Sequence, residues 1–443
     1  MHRENASIGE LMKKNGPARE SMRDDLEEET LAEARERTTS YEPYLEASLG
    51  LRNHWYASFF KEELSEGEIR GEMICGERIV FKRLDNQVFA LEDRCPHRGS
   101  AFSARPECYS KDTLTCWLHG FTFDVRSGKL VEVLTEPGSK LIGKLQQKTY
   151  PVQEINGVVF VFIGDIDPPP AIEQDIQPKF LQPNLVVQSV ARNKSRANWR
   201  LAAENGYDAA HLYAHRNAGL FEQIDVPVPL STFPSNKGKV TELNGDNGPW
   251  GIVKFDDINI WHAEVDGTYI TAPNVDPHLE HENWDIEVGL FMPCGLEVDY
   301  FPAPGVLHFE WYTPIDEDHH LYIIAHGAIC NTPESEVIFR SRCKKELAPL
   351  VWRSEGDNNV PVGDGDTWGF NNFDDWGREQ MHHVYQYENF WRRERLFRPD
   401  YIVMRWRNLV SQRLRGIQKW GTWAPTRGWS PDGKNYDPKF GPK

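Results

Sequence analysis

Two pairs of residues carry the strongest chemical signal in the chain. Cys95-Pro96-His97-Arg98-Gly99 and Cys116-Trp117-Leu118-His119-Gly120 each join a thiol to an imidazole, and 18 residues separate His97 from Cys116. Two thiolates suit one iron of a two-iron, two-sulfide cluster and two neutral imidazoles suit the other, a ligand set that raises the cluster's potential. Loops rich in Pro and Gly can aim main-chain N–H groups at the sulfurs. Zinc also accepts two Cys and two His, but finger-type modules pair like with like, whereas each half here is mixed. Cys108 lies between the halves and reads as an inert thiol. A second constellation follows. Asp208-Ala209-Ala210-His211-Leu212-Tyr213-Ala214-His215 sets two histidines at i, i+4 on one helical face, where both reach one metal. A carboxylate added to them makes a facial site with positions open for O2 and substrate. Candidates for that third ligand cluster in Gly369-Phe370-Asn371-Asn372-Phe373-Asp374-Asp375-Trp376.

The first motif resembles that of the Rieske iron–sulfur proteins. With the second, residues 50 to 410 or so resemble the large subunit of Rieske non-haem iron ring-hydroxylating oxygenases. Thr149–Pro170, Asn198–His215, Phe301–Asp316 and Gly369–Glu379 are most similar to the homotrimeric branch, which includes the carbazole dioxygenase terminal oxygenase and 2-oxoquinoline 8-monooxygenase. The resemblance implies one [2Fe-2S] cluster and one mononuclear Fe(II) per subunit. Cys95 and Cys116 would hold one cluster iron, His97 and His119 the other. His211, His215 and Asp374 would hold the mononuclear iron. An ungapped match selects Asp374 and leaves Asp375 as a capping or supporting acid. Asp208 matches a bridging aspartate that accepts the ring N–H of a neighbouring subunit's cluster histidine, here His119. The cavity would be lined by Phe301, His308, Phe370 and Asn371. His308 stands where the carbazole enzyme has glutamine, which points to a different polar group on the ring.

The implied reaction is O2-dependent hydroxylation of a small aromatic, N-heteroaromatic compound such as 2-oxoquinoline at position 8. Angular or cis-dihydroxylation and oxidative demethylation use the same ligands. The implied partners are a ferredoxin or flavin reductase relaying electrons from NAD(P)H, and two further copies of the chain in a homotrimer. A non-enzymatic alternative is a Rieske electron carrier with an appended domain, which would have no use for His211, His215 and Asp374.

Elements able to position these residues follow a consistent pattern. The 443 residues suffice for two or three domains. Residues 1–48 read as an acidic helical extension, with Leu26–Arg37 helix-prone. Residues 49–167 read as an all-β Rieske domain: Arg78–Lys82, a turn at Asp85-Asn86, Val88–Leu91, Thr113–Trp117, Phe121–Val125, Lys129–Val133 and the buried strand Val158–Ile163. Pro168-Pro169-Pro170 makes a stiff spacer. Residues 168–443 read as an α+β, helix-grip-like catalytic domain ending in a basic helix and tail. It has a helix over Ala197–His215 with a break near Asn205-Gly206, an antiparallel sheet over 285–330, and helices over 334–352 and 375–419.

Composition narrows the function classes. Fifty Lys+Arg against 67 Asp+Glu leave −17, the wrong sign for coating nucleic acid. No run of 18 apolar residues suggests a membrane span, and no apolar segment near the N-terminus suggests export, so a cytoplasmic protein is expected. Seven cysteines are too few for a disulfide scaffold. No G-x-G-x-x-G follows a strand, so the electrons should come from another protein. Charge is uneven: residues 391–443 hold 13 bases against 4 acids, which reads either as a solvated helix face or as a docking face for an acidic donor. His278 and His281 read as a surface loop, and the pairs His319-His320 and His382-His383 have no evident metal partner.

Overall fold

The computed structural model describes residues 36–215, 240–245, 248–257, 262–265, 268–271, 285–299, 301–303, 305–353 and 369–420. His278, His281, most of Leu26–Arg37 and the last 23 residues lie outside them.

The first domain is built from short antiparallel strands: β1 (His54–Phe60), β2 (Ile69–Ile74), β3 (Glu77–Leu84), β4 (Gln87–Glu92), β5 (Thr113–Thr115), β6 (Phe121–Asp124), β7 (Leu130–Val133), β8 (Thr149–Tyr150), β9 (Val152–Ile155) and β10 (Val158–Ile163). They form the sheets β1-β10-β9, β2-β3-β4-β8 and β5-β6-β7. Asp85 and Asn86 turn β3 into β4 with φ of 52° and 60°, the left-handed pair that a two-residue hairpin needs. β10 is buried along its whole length because both of its faces are covered. Val159, Val161 and Ile163 enter one core, and Val158, Phe160 and Phe162 enter another.

The second domain is a seven-stranded antiparallel sheet. Its strands are β11 (Leu185–Ser195), β12 (Val240–Asn244), β13 (Trp250–Asp257), β16 (Asp285–Phe291), β17 (Gly295–Asp299), β18 (Leu307–Pro314) and β19 (His320–Ile329), in the order β11-β19-β18-β17-β16-β13-β12. A separate hairpin joins β14 (His262–Val265) to β15 (Thr268–Thr271). Alternation on β18 and β19 gives the sheet two different faces. Phe309, Trp311, Ile323 and Ala325 pack with Trp55 and Phe160 of the first domain. The other face carries Tyr312, Tyr322 and Ile324 into the core that α1 (Glu42–Glu46), α2 (Trp199–Tyr207), α5 (Phe370–Tyr387) and α6 (Tyr401–Arg413) share. Between β19 and α5, α3 (Pro333–Arg342) runs through a wide turn at Cys343–Leu347 into α4 (Ala348–Val351).

Four expectations change. The helix after Ala197 breaks at Asp208, not at Asn205-Gly206. Gly206 stays helical because a β-carbon there would meet the Tyr312 hydroxyl at 2.1 Å, so its role is close packing. The helix placed at 375–419 begins at Phe370, ends at Tyr387, and resumes as α6 after a left-handed Asn389. Residues 36–48 are no appendage: Tyr41, Tyr44 and Ala47 are fully buried, and Trp199 Nε1 donates to the Ala47 carbonyl at 2.8 Å. Much of the C-terminal positive charge is consumed internally. Arg407 is buried between Glu204 and Glu394, Arg415 pairs with Asp175, Arg392 with Glu42, and Arg413 stacks on Trp250. A docking face made from that stretch therefore keeps less charge than the sequence suggests.

Candidate active site

Two loops of the first domain bring the mixed Cys/His pairs together. Cys95 and Cys116 are buried in a small core with Leu91, Phe102, Leu114 and Phe121. Each loop closes on a tight turn: Gly99 N–H donates to the Cys95 carbonyl at 2.8 Å, and Gly120 N–H to the Cys116 carbonyl at 2.9 Å. Both glycines have positive φ, 78° and 69°. The Cys116 thiol is pulled well below its usual range. Cys95 contributes most to this, against burial, with Ser100 and the main-chain N–H groups of Leu118 and His119 adding to it. The imidazoles of His97 and His119 meet edge to face at 4.6 Å, and His97 stacks on Phe121 at 4.7 Å. His119 Nδ1 is buried without a hydrogen-bond partner. Two facing sulfurs, of which Cys116 is held towards the thiolate and Cys95 keeps its proton, and an unclaimed imidazole nitrogen form a donor set that fits a [2Fe-2S] cluster. Cys108 is exposed, and Lys82 Nζ donates to its sulfur at 3.0 Å.

The second constellation assembles from three distant segments. Asp208 caps α2 in extended conformation, and its Oδ1 accepts the Ala210 N–H at 2.8 Å, which starts a seven-residue 3₁₀ turn over Ala209–His215. The histidines thus sit on a tighter helix than i, i+4 spacing suggested, with ring centroids 5.2 Å apart. His211 Nδ1 donates to the Asp208 carbonyl, which turns Nε2 inward. Asp374 Oδ1 lies 3.4 Å from His211 Nε2 and 3.0 Å from His215 Nε2. Ligand atoms of all three residues fall within 4.8 Å of one another. Asp374 and His215 are almost fully buried. Burial alone would neutralise Asp374, but His215, His211 and Arg378 hold its carboxyl well below the usual range. Burial lowers His215, leaving a neutral imidazole. Two imidazoles and one carboxylate fit a divalent iron, with Nε2 of both rings facing the acid.

Its neighbour Asp375 faces elsewhere. Its Oδ2 accepts from Asn193 Nδ2 of β11 at 2.9 Å, and burial raises its carboxyl. Helix phase separates the two acids. On the same helix, Arg378 Nε donates to Asn205 Oδ1 at 2.6 Å, which clamps α5 to α2 and so sets Asp374 against the histidine turn.

The expected cavity residues surround this triad. Phe370 stacks on His215 with centroids 3.7 Å apart, Phe301 meets Phe370 at 5.1 Å, and His308 meets Phe301 at 5.0 Å. Asn371 is buried one helical turn before Asp374. Behind them lie residues that sequence reasoning missed: Glu310, Tyr312, Tyr322, His326 and Arg378. For the first four the signal was present as polar residues at alternate positions of β18 and β19. Of the paired histidines, His320 is buried and donates to the Ala197 carbonyl at 2.7 Å, and His382 lies between Asn198 N–H and Asp318. Both roles are structural. Among the described residues no helix is long and apolar enough to cross a membrane.

Comparison with known proteins agrees with this geometry. A family model described as a Rieske [2Fe-2S] domain matches residues 54–151, and one described as a homotrimeric ring hydroxylase matches residues 162–418. The chain is 35% identical over 390 residues to the terminal oxygenase component of carbazole 1,9a-dioxygenase from Sphingomonas sp, covering 87% of this chain and 98% of that one. It is 33% identical to the corresponding protein of Metapseudomonas resinovorans, over 86% and 96%. The terminal oxygenase of carbazole 1,9a-dioxygenase from Novosphingobium sp. KA1 superposes with a TM-score of 0.74 at 35% identity, over 87% of this chain and 99% of that one. Motif, geometry and likeness over most of the chain agree, and the protein belongs to the Rieske ring-hydroxylating oxygenases, as a terminal oxygenase of the homotrimeric ring-hydroxylase family.

Proposed function

We propose that this terminal oxygenase works as a homotrimer, takes electrons from a ferredoxin, and oxidises a small N-heteroaromatic ring by angular dioxygenation. One observation carries the reading: His211, His215 and Asp374 converge behind an aromatic wall of Phe370 and Phe301. Relatives named for carbazole 1,9a-dioxygenation favour the angular reaction over 2-oxoquinoline 8-hydroxylation. A structural neighbour at TM-score 0.73 is an oxygenase in complex with its ferredoxin, which supports the donor class.

An iron held by His211, His215 and Asp374 would supply O2 activation, and a cluster on Cys95, His97, Cys116 and His119 would supply single electrons. The chain's own residues do the positioning. The Asp208 carbonyl orients His211, and Phe370 fixes the ring plane of His215. Phe301 and Phe370, set edge to face, offer apolar ring surface to a substrate ring and keep water from it. Among the described residues no hydrogen bond joins Asp208 to His119 of its own chain. The Asp208 carboxylate would instead accept the outward N–H of His119 of the partner subunit, which gives a reason for the trimer. The test supplies the purified holoenzyme with NADH, a reductase and a ferredoxin, and offers it carbazole and 2-oxoquinoline. Mass spectrometry and NMR then read the products. O2 consumption without oxidation of any ring would refute the reading.

A further inference from the structure

Lys82 stands in a row of core residues. It alternates with Val80 and Leu84 along β3, and both of these pack in the core that holds Cys95 and Cys116. Its neighbours across the sheet are Ile69 and Phe89, which pack against the same core. Lys82 is 2% exposed, so its stem runs through apolar surroundings to the nitrogen. A buried ammonium is costly unless an anion pairs with it. Among the described residues no carboxylate forms an ion pair with Lys82. Its partners are the Thr113 carbonyl, at 2.9 Å, and the Cys108 sulfur, at 3.0 Å. These account for two of the three N–H bonds of an ammonium.

Cys108 is held at that nitrogen and is open to solvent. Both of its chain neighbours are tied to Thr115 of β5. Thr115 N–H donates to the Glu107 carbonyl at 2.9 Å, and Tyr109 N–H donates to the Thr115 hydroxyl at 3.0 Å. Cys108 is therefore not the inert thiol that its place between the two metal motifs suggests. A thiol sulfur is only a weak acceptor, so the buried ammonium stays poorly matched while Cys108 is reduced. Exposure lets O2, the co-substrate of an oxygenase, reach the sulfur. Cysteine oxidation passes through a sulfur–oxygen bond that a neighbouring nitrogen can capture. One oxygen atom spans a nitrogen–sulfur gap of 3.0 Å with little movement, whereas a direct S–N bond needs the loop to close much further.

We propose that Lys82 and Cys108 form an oxidation site, at which O2 joins the two side chains through one oxygen atom as Nζ–O–Sγ. The thiol S–H bond and two N–H bonds of the ammonium break, and N–O and O–S bonds form. The second oxygen atom leaves as water, and one proton is released. Sulfur and nitrogen give up two electrons each, and O2 takes four. The bridge removes the buried charge and staples the segment between the two cluster loops to β3, whose Val80 and Leu84 line the cluster's core. Excess dithiothreitol returns the four electrons and restores the free lysine and thiol. The site is independent of which ring the enzyme oxidises.

The test is mass spectrometry of the full-length holoenzyme, kept in air or reduced with dithiothreitol under argon, then alkylated with iodoacetamide. The air-exposed chain should gain one oxygen and lose two hydrogens. Tryptic mapping should place both changes on one cross-linked pair of peptides carrying Lys82 and Cys108. Cys108 should resist alkylation until dithiothreitol is added. Lys82→Met, and Lys82→Arg, which keeps the charge, should both abolish the cross-link and leave Cys108 open to alkylation. Four results in wild type overturn the inference: full alkylation of Cys108 in air, oxygen gained without hydrogens lost, hydrogens lost without oxygen gained, or a disulfide to a second chain. A cross-link at Cys108 that persists in Lys82→Met overturns it as well. Should Lys82→Met fail to fold, Lys82→Arg and the wild-type peptide map decide.

Discussion

Replacing Asp374 by alanine should empty the mononuclear site and spare the cluster, whereas the same change at Asp375 should spare both metals and lower stability. The two acids are adjacent in sequence, so this contrast tests the geometry directly. Asp374 supplies the anion 3.0 and 3.4 Å from the two imidazoles, and its interactions with them and with Arg378 keep it ionised. Two histidines without that anion make a poor site for a hard dication. With two irons in the cluster and one at the triad, iron content should drop from about three to about two atoms per chain. Asp375 instead accepts from Asn193 at 2.9 Å. Its removal strands a buried amide at a cost of roughly 1–3 kcal/mol. For a domain of this size that lowers Tm by about 2–10 °C. Iron analysis, the rhombic EPR signal of the cluster and calorimetry read the three quantities on the same preparations. Iron retained in Asp374→Ala, or mononuclear iron lost in Asp375→Ala, would refute the reasoning.

Four further outcomes are expected. Asp208→Asn should keep both metals and the His211 orientation, which uses the main-chain carbonyl, yet stop turnover; normal NADH-coupled ring oxidation would remove Asp208 from the electron path. Arg407→Leu should strand Glu204 and Glu394 and cost about 3–5 kcal/mol in a denaturant titration, with donor affinity in the surviving folded fraction unchanged; lost affinity at wild-type stability would restore the docking role of the basic stretch. Burial pushes Glu297 up to about 8 against the pull of Lys179, so the folded form holds a proton the unfolded form has released. Stability should therefore fall as pH rises from about 4.5 to 8, by up to about 1.4 kcal/mol per unit from this group, and parallel profiles for wild type and Glu297→Gln would contradict it. Gly206→Ala should cost about 1–3 kcal/mol, because its β-carbon meets the Tyr312 hydroxyl at 2.1 Å; a thermal unfolding curve identical to wild type would show that α2 accommodates it freely.

Legibility in the sequence followed the distance over which each signal was written. Cys95 with His97, Cys116 with His119, and His211 with His215 are local patterns whose spacing carries the chemistry. The buried strand Val158–Ile163 and the turn at Asp85-Asn86 were legible for the same reason. Gly206 misled because a glycine inside a helix reads as a break, and only the position of Tyr312 on another element explains it. The C-terminal charge misled similarly: Arg407 looks solvated in one dimension, but its partners lie 203 and 13 residues away. His326 escaped notice because strand register, not spacing, makes it a neighbour of His308.

Helix α5 explains how these parts act as one site. Along a single face it offers Asn371, Asp374 and Arg378, at intervals of three and four residues. Asn371 reaches the Glu310 cluster at 2.6 Å, Asp374 reaches the histidine turn, and Arg378 fastens the helix to Asn205 of α2. Asp375, rotated by about 100° from Asp374, meets β11 instead. The same rigid element thus holds an atom of the Glu310 cluster and the carboxylate facing the two histidines, one turn apart. Phe370, on the same helix, stacks on His215, so α5 sets the aromatic ring and the carboxylate of the site together.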